Sequence, residues 1–143
     1  MGFPDRIERT VVLAHPPGVV WAALTTAEGL AGWFGQEAAI ELRPGGAGWL
    51  RFAGGPTVAL RVERAEEPVV FGFTWPVPGL PGGDPRRTYV EFTLEAWGAG
   101  TRLTVAESGF AQLPGDVHQK AYDGNTAGWA AELGELAGYL DAG

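Results

Sequence analysis

From residue 37 to residue 108 the chain carries strand signals alone, and this constrains its fold more than any other feature. The runs AAIEL, GWLRF, TVALRVERA, VVFGFTW, RTYVEFTLEAW and TRLTVAES are rich in β-branched and aromatic residues. They are cut by RPGG, AGGP, EEP, a long PVPGLPGGDP and GAG. An earlier run, IERTVVLA at 7–14, brings the expectation to seven strands laid out as an antiparallel meander. The alternation is clearest in RTYVEFTLEA. Val90, Phe92 and Leu94 point one way and Tyr89, Glu91, Thr93 and Glu95 the other, so one face of the sheet is covered and the other is wet.

The helical signals lie outside that block. His15-Pro16-Pro17 ends the first strand, because a residue before proline is pushed away from the helical region. Pro17 suits a first helical turn, and Val20, Trp21 and Leu24 then repeat at helical spacing as far as Thr25. Thr26 can cap a second short helix through Glu28 to about Gly32, ending at Trp33-Phe34-Gly35. The covered sheet face finds its cover at the other end of the chain. Trp129, Leu133, Leu136 and Leu140 are spaced 4, 3 and 4 apart, the stripe of an amphipathic helix, with Glu132, Glu135 and Asp141 off the stripe. A helix from about Pro114 to Leu140 would reach about 40 Å, enough to cross a curved sheet. Gly128, Gly134 and Gly138 each cost roughly 0.5–1 kcal/mol there against alanine. That points either to close approach of the helix to sheet or ligand, or to glycine drift.

A strand, two short helices, six strands and a long closing helix make an α+β, helix-grip arrangement. In it a seven-stranded antiparallel sheet curls round the C-terminal helix, in one domain spanning 1–143 with its core at about 7–140. A chain of 143 residues with 45% hydrophobic content is enough for one such core. Six tryptophans, seven phenylalanines and three tyrosines are a heavy aromatic load for this length, and a core with a hollow in it would use them. The net charge of −7 opposes a phosphate backbone, so nucleic acid is not an expected partner. With no cysteine there is no disulfide framework, thiol nucleophile or thiolate metal site. Neither a signal-peptide core in MGFPDRIERT nor a membrane-length apolar run is present, and the expectation is a soluble cytoplasmic protein with no membrane partner.

Catalytic constellations are scarce. Ser108, the single serine, would need His15 or His118, but it stands in Glu-Ser-Gly and lacks the nucleophile elbow Gly-x-Ser-x-Gly. His15, His118 and Asp116 have no metal-ligand spacing, and RPGG and PGGDP read as turns, so neither metal nor cofactor is expected. Glu107 is the one candidate for acid or base work. If Leu103 and Val105 face inward, alternation turns Glu107 inward too, where aromatic neighbours would exclude water and favour the protonated carboxyl. The other reading pairs it with an arginine such as Arg61, or has it cap its own loop, ionised and inert. Phe71, Phe73, Trp75 and Phe92 face the same interior, and Trp33, Phe34, Phe110 and Trp129 would close its ends. With Phe52, Val105, Glu107 and Leu133 they form the expected lining of a ligand cavity. The loop 76–87, with four prolines and three glycines, reads as a lid or, more simply, a variable connection.

Five stretches carry a family resemblance: HPPGVVWAALTTAEGLAGWFG at 15–35, RPGG at 43–46, FGFTW at 71–75, GTRLTVAESGF at 100–110 and GWAAELGELAGYL at 128–140. In this order the chain resembles the bacterial homologues of the heat-shock-protein-90 ATPase activator. These are a branch of the START-like (SRPBCC) superfamily that includes the birch-pollen-allergen fold, and the resemblance runs from about Ile7 to Leu140. The family pattern has alanine where this chain has His15 and histidine where it has Glu107. The resemblance implies a cavity between sheet and helix, and with it three functions. The first is binding of a small hydrophobic or aromatic molecule as a carrier or sensor. The second is a polyketide cyclase or aromatase, in which Glu107 would be the catalytic candidate; the balance leans away from an enzyme. The third is a co-chaperone stimulating a heat-shock ATPase, for which a chaperone partner is weakly supported because no additional chaperone-binding domain is matched. The wet sheet face and the Trp97 corner offer a surface for a homodimer, although a lone exposed tryptophan needs no partner.

Overall fold

In a computed structural model, which describes residues 6–52, 54–55, 57–77, 84–113 and 115–142, the strand signals become seven strands of one sheet. They are β1 (Arg6–Leu13), β2 (Glu37–Ile40), β3 (Ala47–Arg51), β4 (Thr57–Glu66), β5 (Val70–Pro76), β6 (Arg87–Trp97) and β7 (Gly100–Ser108). Helices α1 (Pro17–Thr25) and α2 (Ala27–Trp33) follow β1, and α3 (Gly115–Ala142) closes the chain after a 3-10 turn at Phe110–Gln112. Every pairing is antiparallel, in the order β1-β7-β6-β5-β4-β3-β2. The meander therefore runs from β2 to β7 only. β1 does not join its sequence neighbour β2 but lies on the far side of β7, with Ile7 opposite Glu107 and Leu13 opposite Thr101. The helices α1 and α2 make this crossing, because a pair of strands separated by two helices need not be neighbours.

Local chemistry accounts for the helical boundaries. Pro17 opens α1, where its missing N–H would have been unpaired in any case. Thr26 takes the Gly29 N–H on its hydroxyl at 2.9 Å and so caps α2. Trp33, at the end of α2, donates its indole N–H to the Ala23 carbonyl at 2.7 Å and locks the two short helices together. The chain leaves β7 through Gly109, whose φ of 105° is a conformation that only glycine adopts readily. Gln112 braces that turn by donating to the carbonyls of Arg87 and Gly109 at 2.6 and 2.7 Å.

Helix α3, 28 residues and about 42 Å long at 1.5 Å per residue, lies across the covered face. Trp129, Leu133, Leu136 and Leu140 are all buried against β-strand residues that alternate as expected, among them Val90, Phe92, Leu94, Leu103 and Val105. The opposite face is polar: Arg64 reaches Glu91, Tyr89 donates its hydroxyl to Glu91 at 2.9 Å, and Thr74 donates to Glu63 at 2.9 Å. Burial and the Glu91 carboxylate together push the Tyr89 hydroxyl up to about 12. The α3 glycines do not mark close approach. A Cβ built at Gly128, Gly134 or Gly138 meets nothing within 4 Å, whereas one at Gly32 would strike the Tyr139 ring at 2.2 Å. The tight helix contact is thus on the α2 side, where the missing side chain of Gly32 makes room for the Tyr139 ring of α3. Of the loop 76–87, residues 78–83 lie outside the described residues. At its far end Arg86 holds the Asp84 carboxyl down to about 2, mainly through its side-chain hydrogen bonds.

Candidate functional site

Strand register builds the polar centre of the interior. Trp75 at the end of β5 stands opposite Thr88 on β6, and Val90, two residues on, stands opposite Glu107 on β7. Residues two apart on a strand share a face, so Trp75, Thr88 and Glu107 converge at one end of the sheet on its inner side. Asn125 and Trp129 of α3 are four apart, one helical turn, and come down onto the same spot.

Glu107 is fully buried and meets donors only. Trp129 Nε1–H donates to its Oε1 at 2.8 Å, Trp75 Nε1–H and Thr88 Oγ1–H donate to Oε2 at 2.9 and 2.5 Å, and the Asn125 Nδ2 amide reaches both oxygens at 3.0 Å. A carboxylate offers about four lone-pair sites, so this set leaves nothing over. No arginine takes part; Arg61 faces Glu63 instead, at 3.8 Å on the exposed face. A buried carboxylate on β7 satisfied by neutral donors from two neighbouring strands and a helix acts as a clamp between sheet and α3.

Beside the clamp is a cavity of about 170 Å³, lined by Phe34, Phe52, Trp75, Asn125, Gly128, Trp129 and Glu132. The Trp75 and Trp129 indoles stack at 5.8 Å. Phe34 lies 5.5 Å from Trp129 and 5.9 Å from Trp75, and Phe52 meets Phe34 edge-on at 5.5 Å. The one buried side-chain polar atom without a hydrogen-bond partner among the described residues is Glu132 Oε2. Loss of water, and then the nearby Glu135, push the Glu132 carboxyl up to about 7. A larger groove of about 550 Å³ runs between α1, α2 and the end of α3, past Val19, Ala22, Glu28 and Tyr139. It has neither the aromatic walls nor an unsatisfied buried atom, so the smaller cavity is the better candidate site.

The residues read from sequence fall into three groups. Phe34, Phe52, Trp75 and Trp129 line the cavity, and Glu107 sits behind two of its walls. Trp33, Phe71, Phe73, Phe92, Val105 and Leu133 are buried in the continuous core. Phe110 packs against Tyr122 at 5.5 Å and lies flat against His118. His15 is held by Asp141 at 2.8 Å, and Thr101 donates to its carbonyl at 2.7 Å. That is the start of β7, about 23 Å from Ser108 at the strand's end, so this pair forms no nucleophilic site. Among the described residues no group of three or more His, Cys, Asp or Glu is placed to hold a metal ion, and no helix is long and apolar enough to cross a membrane.

Sequence reasoning passed over Thr88, Asn125 and Glu132. Thr88 carried a signal, since alternation puts it with Val90 and Phe92. Asn125 extends the Trp129 stripe by one turn. Glu132 follows Trp129 by three residues, which places it on the flank of the stripe, and only the cavity at that flank distinguishes it from a solvated glutamate.

No curated protein matches the chain, but solved structures do. MLL2253 from Mesorhizobium loti is 26% identical, with 96% of this chain covering 97% of that one at a TM-score of 0.81. DynU16, a protein of the dynemicin biosynthetic locus, is 27% identical at a TM-score of 0.79, with 97% of this chain covering 48% of that one. The Aha1 dimer from Colwellia psychrerythraea shares the fold at 20% identity and a TM-score of 0.78, each chain covered over 96%. The shared architecture is the helix grip, a curled sheet closed by one long helix. The family described as Activator of Hsp90 ATPase homolog 1-like protein matches residues 14–141, and the chain belongs to that family.

Proposed function

We propose that this protein binds a small, mainly apolar molecule in the cavity between β5, α2 and α3. The observation that carries this reading is the Glu132 carboxyl, whose buried Oε2 has no partner among the described residues in a cavity walled mainly by aromatic rings. Buried polar atoms in folded proteins nearly always have a partner, and here a bound molecule's polar group would supply it. The volume sets the scale. An engineered apolar cavity of about 150 Å³ takes a benzene molecule, so about 170 Å³ accommodates a single ring or a branched aliphatic group of that size.

The test compares native and denatured mass spectra of freshly purified protein, followed by thermal shift with a library of monocyclic compounds. A co-purified small molecule, or shifts that vanish when Gly128→Leu fills the cavity, would bear the reading out. Repeated failure in both assays would end it.

An enzymatic reading of cyclase type draws on the likeness to DynU16, which belongs to a biosynthetic locus. A folded polyketide chain needs more room than a single ring, since ordinary ligand pockets run to roughly 300–1,000 Å³. The acid-base group of such an enzyme would be Glu132 and not Glu107, whose oxygens are already taken. Turnover unchanged in Glu132→Gln would exclude it.

A further inference from the structure

We infer that the cavity selects molecules presenting a hydrogen-bond donor, an O–H or N–H on a small ring, and turns away those that offer acceptors alone. This rests on the binding reading above and specifies the ligand's chemistry. The reason lies in where the donors around the cavity point. Trp75 and Trp129 each have one polar hydrogen; that of Trp129 is directed at Glu107, and that of Trp75 is shared between Glu107 and the Thr88 hydroxyl. Asn125 directs its Nδ2 amide at the same carboxylate, which fixes the orientation of the amide group and leaves Oδ1 as its remaining polar atom. Phe34 and Phe52 have no polar side-chain atoms, and Gly128 has no side chain.

What remains for a ligand is therefore the Glu132 carboxyl and the Asn125 carbonyl oxygen, seven residues apart on one face of α3. Two turns of helix separate them by about 10.5 Å along the axis. A one-ring ligand bearing a single donor engages one of the two, and the unsatisfied Oε2 makes Glu132 the first choice. Against the ionised Glu132, an acceptor-only group faces lone pairs and a carboxylate faces like charge. Such mismatches cost more than a missing contact, because they leave polar atoms unpaired in a site partly shielded from water.

Four ring compounds of similar size decide the matter: toluene, anisole, phenol and benzoate. Their affinities for the full chain would be measured at pH 8, above the value near 7 to which Glu132 is raised, so that its carboxylate is acceptor-only. Phenol should bind at least about tenfold tighter than anisole or toluene, the factor expected for a hydrogen bond to a charged acceptor. Benzoate should bind more weakly than toluene. Glu132→Leu should bring phenol to the level of toluene while leaving toluene in place, and Gly128→Leu should remove all binding with the fold intact by its melting curve. Anisole binding as well as phenol, or benzoate binding as well as phenol, would overturn the inference. If toluene binds and is blocked by Gly128→Leu, but phenol gains nothing, the donor inference fails and the binding reading stands. If no compound binds, both fall.

Discussion

Glu107 receives five hydrogen bonds from four side chains, while Glu132, lining the cavity that those side chains help to wall, leaves a buried oxygen with none. The two carboxyls differ in what surrounds them and not in chemistry. Glu107 lies where two strands and a helix deliver neutral donors, and its removal would leave Trp75 with the Thr88 hydroxyl alone and strand the other three. Glu132 lies one turn along the same helix, past Gly128, where the sheet supplies rings and no donors. A polar group satisfied from all sides is structural; one left open beside a hollow is available to something from outside. Satisfied partners, more than burial or aromatic company, separate the two roles.

The most damaging way to break this contrast is to remove the clamp. Glu107→Leu leaves the Trp129 indole N–H, an amide and a hydroxyl without their acceptor in the interior and the Trp75 N–H with Thr88 alone, and should lower stability by about 3–5 kcal/mol. Urea unfolding followed by tryptophan fluorescence would measure it. Glu107→Gln keeps one acceptor oxygen but sets an NH₂ group against donors, and should cost less, roughly 1–3 kcal/mol. A Glu107→Leu protein as stable as the native one would mean that the five bonds do not hold sheet to helix.

Trp129→Phe tests the clamp one donor at a time. It leaves Glu107 Oε1 with Asn125 alone and removes part of a buried ring system, for an expected loss of about 2–4 kcal/mol. Trp75→Phe should cost less than Trp129→Phe. Its indole is partly exposed at the end of β5, and Oε2 keeps Thr88 and Asn125 as donors. Equal losses, read from parallel urea curves, would show that neither ring burial nor the remaining donor set governs the cost.

How much of this the sequence disclosed follows from what each feature depends on. Periodicity depends on neighbours along the chain, so the strand bounds, the two short helices and the α3 stripe were legible. So was the inward direction of Glu107, which follows from counting by two from Leu103. The place of β1 beside β7 was not, because it depends on how α1 and α2 cross the sheet and leaves no local mark. Aromatic content suggested a hollow but gave it no location. Phe71, Phe73 and Phe92 look no different in sequence from Phe34 and Phe52, yet the first three fill the core and the last two border the hollow. Glu107 and Glu132 could not be ranked for the same reason: the donors that satisfy one come from residues 75, 88, 125 and 129, which only the fold assembles.

Gly128 allows the hollow to be altered without touching either carboxyl. A Cβ there meets nothing within 4 Å, and the position lines the cavity. Gly128→Ala should stabilise the protein by about 0.5–1 kcal/mol through helix propensity while narrowing the cavity. Stability and ligand affinity would then move in opposite directions, which thermal melting and titration with the same ring compound would show. If the alanine weakened both, Gly128 would serve the packing of α3 and not the space beside it.

The smallest effect concerns Glu132 itself, and its sign is diagnostic. The folded protein raises this carboxyl from the ordinary 4.5 to about 7, chiefly by desolvation and secondarily through Glu135, so folding favours the protonated form. Relative to the unfolded chain, that preference is fully satisfied below about 4.5 and is lost as pH rises through 7, where the carboxylate must sit half-buried without a donor. Glu132→Gln does not titrate. The variant should therefore be more stable than the native protein at pH 8, and the gap should close at pH 4. Because the side chain keeps part of its water, the difference should stay under roughly 1 kcal/mol. Comparing the two proteins at each pH cancels the titration of every group they share, so paired melting curves isolate this one carboxyl. For Glu107→Gln, whose native residue already has its donors, the variant should be the less stable protein at pH 8. If both glutamines destabilised at pH 8, Glu132 would have a partner in solution, and the distinction between a filled carboxylate and an open one would fail at the residue on which the proposed binding site depends.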